Sequence, residues 1–230
     1  MPSRSESLRI ALPYILPQVD RLYLYLDKHD AIPEEFKSNP KIIPVLPQGG
    51  VKKELGGRGK FIGLRLEKDP CIFVCFDDDI IYRDGYVNHL VTALKRYHCR
   101  AVVGIHAGIY KFPNISYVKE RTIVHFEQSL TADILVDELG TGTIAFHSGV
   151  IHIDPELWDY NNMIDLHFML EAIKQKVPRV CIRRGDDFLK AIGGQDQPDS
   201  IYRQSLRDDS RQTRLLQAAM EQYPDNWCMT

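Results

Sequence analysis

CIFVCFDDDIIY, residues 71–82, runs six apolar residues straight into three consecutive aspartates. A short unbroken apolar run is what a strand covered on both faces requires, so 71–76 is expected to be the central strand of a sheet. In extended backbone alternate residues share a face, which places Asp77 and Asp79 together, about 6.5 Å apart, with Asp78 turned the other way. Three adjacent carboxylates raise one another's pKa unless something positive sits among them. A hard divalent cation, Mg²⁺ or Mn²⁺, would relieve that repulsion through oxygen ligands. Magnesium typically takes one or two carboxylates plus substrate phosphates, which makes a diphosphate the natural third party. The competing structural reading is an acidic turn that caps the next helix or lies solvated.

Working outward, 230 residues suffice for one sizeable domain. A net charge of −2 argues against nucleic acid as a partner, since phosphate-tracking surfaces are usually strongly basic. Five cysteines without a C-x-x-C pair fit a reducing compartment. The sequence has no stretch of membrane-spanning length and "MPSRSESL" lacks a signal-peptide pattern. These features predict a cytoplasmic protein, with association at the inner membrane face left open.

Strand and helix patterns alternate along the chain. Ser3 and Glu6 stand at capping-box spacing ahead of Leu8, Leu12 and Ile15, predicting a helix to Leu16. RLYLYLD (21–27) reads as a strand, and KIIPVL (41–46) as an edge strand because of Pro44. The glycine-rich loop 48–61 precedes a short helix to about Lys68. Asp84 is the expected N-cap of a helix carrying Val87, Leu90, Val91, Leu94 and Tyr97. AVVGIH (101–106) is a strand, 107–137 is expected to be irregular, and 142–153 is β-like. A helix from near Asp165 to Lys176, a strand at 179–184 and a helix from Arg211 to Tyr223 complete the pattern. This alternation predicts an α/β fold with a mostly parallel central sheet flanked by helices. In such sheets ligands bind beyond the carboxyl ends of the strands, where Asp77–Asp79 lie.

The ordered set PSRSESLRIALPYILPQVDRLYLYLD, GRGKF and FDDDIIYRDGYVNHL resembles bacterial glycosyltransferases of the GT-A fold, of the family-2-like type that builds capsules and lipopolysaccharides. The likeness continues more faintly through ELGTGTIAFHSGVIHI, MIDLHFMLEAIKQKVPRVCIRR and DSIY. It implies one domain over 1–230, with a nucleotide-sugar half to about 106 and an acceptor half from about 107. It also implies a strand ahead of the Pro2-Ser3-Arg4 loop. This chain starts at Met1, so either its start is truncated or the sheet lacks that first strand.

The resemblance places Arg4 at the nucleotide base or diphosphate and Asp27 at the base or ribose. Its Asp-x-Asp motif falls on Asp77-Asp78-Asp79: Asp77 and Asp79 as metal ligands, Asp77 or Asp78 as a nucleotide contact. His167 is its nominee for a histidine drawn to the metal. Lys60, behind the glycines of GGRGKF, is the expected donor-phosphate contact, and Arg58 a second choice. Asp165 matches the acidic residue that, in inverting members, deprotonates the acceptor hydroxyl; an N-cap role is its structural alternative. His106, His147 and His152 are read as structural. The loop 191–204, with Ser200, Tyr202 and Arg203, could fold over a diphosphate.

The expected activity is therefore Mn²⁺- or Mg²⁺-dependent transfer of a sugar from a nucleoside-diphosphate sugar, UDP-linked for preference, to a glycan or lipid-linked glycan in cell-surface polysaccharide synthesis. The alternatives are nucleotidyl transfer, or a degenerate nucleotide-sugar-binding module without turnover.

Overall fold

The computed structural model describes residues 4–47, 55–113, 116–158, 163–193 and 205–228. Helix α1 (Ser5–Ile15) leads through a 3-10 turn to strand β1 (Leu22–Tyr25), which pairs in parallel with β2 (Ile42–Val45). The short helix α2 (Glu34–Lys37) lies between them in sequence. Pro44 sits in β2, which bonds only to β1 among the described residues, as a strand with a missing donor should. After a 3-10 stretch at Gly56–Phe61 and helix α3 (Gly63–Leu66) comes β3 (Ile72–Val74).

The principal sheet has the order β3-β10-β5-β11-β8, where β5 is Val102–Gly104, β8 is Ile134–Leu135, β10 is Ile144–His147 and β11 is Arg179–Cys181. It is mixed rather than mostly parallel: β10 runs antiparallel to both β3 and β5, β5 and β11 are parallel, and β8 is antiparallel to β11. The fold is α/β, but strand β10 enters the sheet from the chain's second half against the direction of its neighbours. Nor is β3 central, as its apolar run suggested. It is an edge strand of this sheet.

Two further corrections are local. Asp84 does not cap helix α4 (Tyr86–Arg96); Gly85 does, at φ 81°, a left-handed conformation that glycine adopts without steric cost. Residues 107–137 are not irregular: β6 (Ala107–Tyr110) pairs antiparallel with β7 (Arg121–Val124) and β9 (Glu138–Leu139). A two-stranded pairing joins β4 (Ile80–Tyr82) to β12 (Leu189–Ala191).

Two large hydrophobic clusters sit on the faces of the principal sheet. One gathers Phe61, Phe73, Phe146, Trp158 and Phe168 beneath helix α5 (Ile164–Lys174). The other packs α1 and α4 against Val103, Ala145 and Val180. The last helix, Ser210–Gln222, docks Leu216 and Ala219 against Leu166, Met169 and Ile173 of α5. All five cysteines are free thiols. No described helix is long and apolar enough to cross a membrane.

Candidate functional site

Beyond Val74 the chain leaves β3, passes through Asp77 and turns at residues 78–79 into β4. That turn ends the alternation assumed for an extended backbone. Asp78 and Asp79 therefore face one partner together, and Asp77 faces another. The Arg4 guanidinium, at the start of α1, donates to Asp78 Oδ1 at 3.2 Å and to Asp79 Oδ2 at 2.7 Å. Lys60 Nζ donates to Asp77 Oδ1 at 2.5 Å. The positive charge among the aspartates thus includes two side chains of the chain itself, one from 75 residues before Asp79 and one from the glycine-rich turn.

Lys60 also donates to Thr141 Oγ1 at 3.2 Å. Thr141 in turn gives both its backbone N–H (2.8 Å) and its hydroxyl (2.6 Å) to Asp165 Oδ1. A continuous chain of polar contacts, Asp77–Lys60–Thr141–Asp165, crosses the site from β3 to α5. Asp165 lies in the first turn of α5, whose N-cap is Met163. Its carboxylate reaches across to the turn before β10 instead of capping its own helix.

Tyr82, which has no functional signal in the sequence, and Gly142, in a small-residue run readable as a sugar approach or as a plain bend, shape the Asp77 end. Tyr82, fully buried, accepts from the Asp77 N–H at 2.7 Å and donates to the Gly142 carbonyl at 2.6 Å. Gly142 is glycine for want of space: a Cβ there would stand 1.8 Å from Asp77 Oδ2.

Electrostatics follow from burial. Loss of water raises the pKa of Asp78, with Arg4 opposing it; for Asp79 the same loss of water acts first, reinforced by Asp77. Burial works against the Lys60 charge, yet Asp77 and then Asp165 outweigh it and hold the ammonium above the ordinary lysine range. Four carboxylates (Asp77, Asp78, Asp79, Asp165) face two cations (Arg4, Lys60), leaving two formal negative charges.

These groups line one cavity of about 1300 Å³. Asp27 lines it too, 8% exposed, with its Oδ1 without a hydrogen-bond partner among the described residues. On the side of Asp165 the lining includes Met163, Tyr117 and Arg121. Arg121 pairs with buried Glu138 at 2.8 Å and lies 4.4 Å over the Tyr117 ring, while Tyr110 and Tyr117 donate their hydroxyls to the same carboxylate. Nothing in the sequence around Arg121, Tyr117 and Glu138 singles them out, because β6, β7 and β9 are needed to bring them together.

The remaining candidates are placed elsewhere. His167 is buried, stacks on Trp158 at 5.5 Å, and is not among the cavity's lining residues, so the structure does not bring it to the aspartates. Arg58, 5% exposed, donates to the carbonyls of Leu55, Pro155 and Trp158, a structural use of its guanidinium. His106 is half-buried, its ring against His125 and Phe126, and neither His147 nor His152 lines the cavity. Ser200, Tyr202 and Arg203 lie outside the described residues, as does Ser3 of the expected capping box.

Among the described residues no group of three or more His, Cys, Asp or Glu forms a ready metal cage. The donor set is nonetheless of hard carboxylate oxygens with surplus negative charge, which fits a cation shared between one or two carboxylates and a ligand's phosphates. The chain matches no protein-family model and no curated protein sequence.

Proposed function

We propose that the chain is a glycosyltransferase of GT-A type that moves a sugar from a nucleoside-diphosphate sugar, UDP-linked for preference, to a hydroxyl of a glycan or lipid-linked glycan in cell-surface polysaccharide synthesis. One observation carries this reading. Arg4, Lys60, Asp77–Asp79 and Asp165, named from the sequence as donor, metal and base groups, converge on a single cavity large enough for such a donor.

In this reading Asp79 and Asp77 would hold Mn²⁺ or Mg²⁺ against the diphosphate, and the ion's chemistry is to stabilise negative charge on the leaving group. Arg4 and Lys60 add fixed positive charge beside the same phosphates. Asp27 and Asp78 are the carboxylates left for the nucleoside. The acceptor hydroxyl lies on the Asp165 side, near Tyr117 and Met163. Thr141 bonds only Oδ1 of Asp165, so the second carboxylate oxygen takes the hydroxyl proton in an inverting reaction. The acceptor oxygen then bonds to the anomeric carbon as the bond to the diphosphate oxygen breaks. The thiols, the apolar spans and the charge balance are consistent with work in the cytoplasm, at or near the inner membrane face.

The test is release of sugar from a panel of UDP-sugars with Mn²⁺, with and without glycan acceptors, for the native chain and for Asp79→Ala and Asp165→Asn. Metal-dependent release lost in Asp79→Ala supports the proposal. UDP-sugar binding without turnover on any acceptor would make the chain a binding module, and pyrophosphate release from nucleotide triphosphates would make it a nucleotidyltransferase.

A further inference from the structure

The wall of the cavity on the Asp165 side holds a cation that the proposed reaction leaves without a role. Of the lining residues beyond Val91, Arg121 is the one cation and Asp165 the one carboxylate among the described residues. Three strands bring Arg121 to this wall. Tyr110 of β6 stands opposite Arg121 of β7, and Gly108, two residues earlier, stands opposite Glu138 of β9. Alternation therefore puts Tyr110, Arg121 and Glu138 on one face of this small sheet. Gly108 lies beneath the pair, where a Cβ would stand 3.7 Å from Arg121 Cδ and 3.8 Å from Glu138 Cβ.

The guanidinium is held in place more firmly than its charge balance requires. The Arg121 and Glu138 side chains are only 10% and 6% exposed, and the cation lies over the Tyr117 ring. The loop carrying Tyr117 is pinned to the last helix: Ser116 Oγ and the Val118 N–H donate to Asp209, and the Tyr117 N–H to Thr213 Oγ1. A buried ion pair roughly breaks even for stability, so stability alone gives little reason for this one. Nor does Glu138 use up its partner. Its carboxylate also accepts from the Tyr110 and Tyr117 hydroxyls, while Arg121 Nε has no hydrogen-bond partner among the described residues. Burial pushes the Glu138 carboxyl up to about 7, against the pull of Arg121 and with Asp165 adding to it. Near neutral pH Glu138 thus offsets only part of the arginine's charge.

We infer that Arg121 anchors the acceptor through an anionic oxygen group, a carboxylate or a phosphate that the acceptor carries close to its reacting hydroxyl. The inference rests on the glycosyltransferase reading and adds the chemical class of the acceptor. A fixed guanidinium matches carboxylate and phosphate oxygens with its planar fork of donors. A neutral sugar would desolvate the same cation without answering its charge. The donor's diphosphate is provided for elsewhere, by Arg4 and Lys60 beside the aspartates. Asp165 on the same wall repels an anion, so the sign of the preference depends on Arg121: with the arginine lost, a charged acceptor should bind no better than its neutral counterpart.

Calorimetric titration with UDP and Mn²⁺ in saturating excess tests this with two matched pairs of probes. One pair is a disaccharide ending in glucuronic acid and its carboxyl-reduced form. The other is a sugar on a short-chain prenyl phosphate and the same sugar on the prenyl alcohol. The native chain should bind the charged member of one pair at least about ten-fold more tightly than the neutral one, the first pair assigning a carboxylate and the second a phosphate. In the double variant Arg121→Gln/Glu138→Gln, which removes both charges and strands neither, the ratio should fall to about one or below. No preference in either pair, no binding of either charged probe, or a preference that survives in the double variant would overturn the inference. Should that variant fail to fold, Glu138→Gln alone decides: freeing the guanidinium should raise the ratio, and an unchanged or lower ratio would overturn the inference. Failure of the glycosyltransferase reading shows separately, as a native chain that neither binds UDP nor hydrolyses any UDP-sugar.

Discussion

Replacing Gly142 with alanine probes the join between the aspartates and the second half of the chain. The added Cβ would stand 1.8 Å from Asp77 Oδ2 and 2.2 Å from its Cγ, whereas real Cβ contacts stay above 3.0 Å. Asp77 must then withdraw by about 1.2 Å (3.0 less 1.8), more than its 2.5 Å bond to Lys60 can absorb. An off-rotamer side chain costs about 0.5–1.5 kcal/mol and a lost charge-assisted hydrogen bond about 1.5–3 kcal/mol. Asp77 is 38% exposed, so solvent screening trims the total to about 1–3 kcal/mol. For a chain of this size that lowers the melting temperature by about 3–10 °C. The assay is a double-mutant cycle by thermal unfolding: Gly142→Ala, Asp77→Ala and the pair. With the Asp77 carboxylate gone the alanine has room, and Gly142→Ala should cost less than about 0.5 kcal/mol. An equal cost in both backgrounds, or none in the native chain, would refute the reasoning.

Three further outcomes are expected. Tyr82→Phe strands the buried Asp77 N–H and Gly142 C=O, so urea unfolding should show a loss of about 2–5 kcal/mol at unchanged m-value. His106 has its pKa lowered to about 3, first by burial and then by the neighbouring His125, Arg121 and Arg184. The unfolded chain therefore takes up that proton first, near pH 6.5, so the contribution is present above 6.5 and lost as pH falls toward 3, at about 1.4 kcal/mol per pH unit. His106→Gln should flatten the melting-temperature profile over that window, and a profile as steep as the native one would count against it. Calorimetric titration of UDP should show a manganese-dependent component that EDTA abolishes and that Asp79→Asn lacks; equal binding in the presence of EDTA would remove the metal from the proposal.

The aspartates and Lys60 were legible because each carries its own local signal, carboxylates at the end of an apolar run and a lysine behind glycines, whereas Arg4 was named only through the resemblance. Their pairing was not legible. It depends on the chain turning at residues 78–79, and alternation along a strand carries no warning of where the strand stops. Thr141 and Gly142 look like ordinary small turn residues, and only the approach of Asp165 and Asp77 from distant segments gives them work. The direction of β10 was hidden for a similar reason. IAFH has the same β propensity whichever way it runs, and its antiparallel place follows from the 3-10 turn at Thr141–Thr143 and from the length of chain since β5. The apolar run 71–76 pointed to a strand with two neighbours, while β3 has one among the described residues.

The position of β10 also bears on how such a chain can be altered. It lies between β3 and β5, so a strand from beyond residue 140 is hydrogen-bonded on both sides to strands from before residue 105. A cut near residue 106 would leave the earlier piece with two separated strand edges and the later piece with β10 stripped of both neighbours. The two halves of the sequence are thus interleaved within one sheet. Exchange of one half for that of another protein would have to carry residues 141–147 along with the half they complete, and successful chimeras should have their seams in loops outside that span.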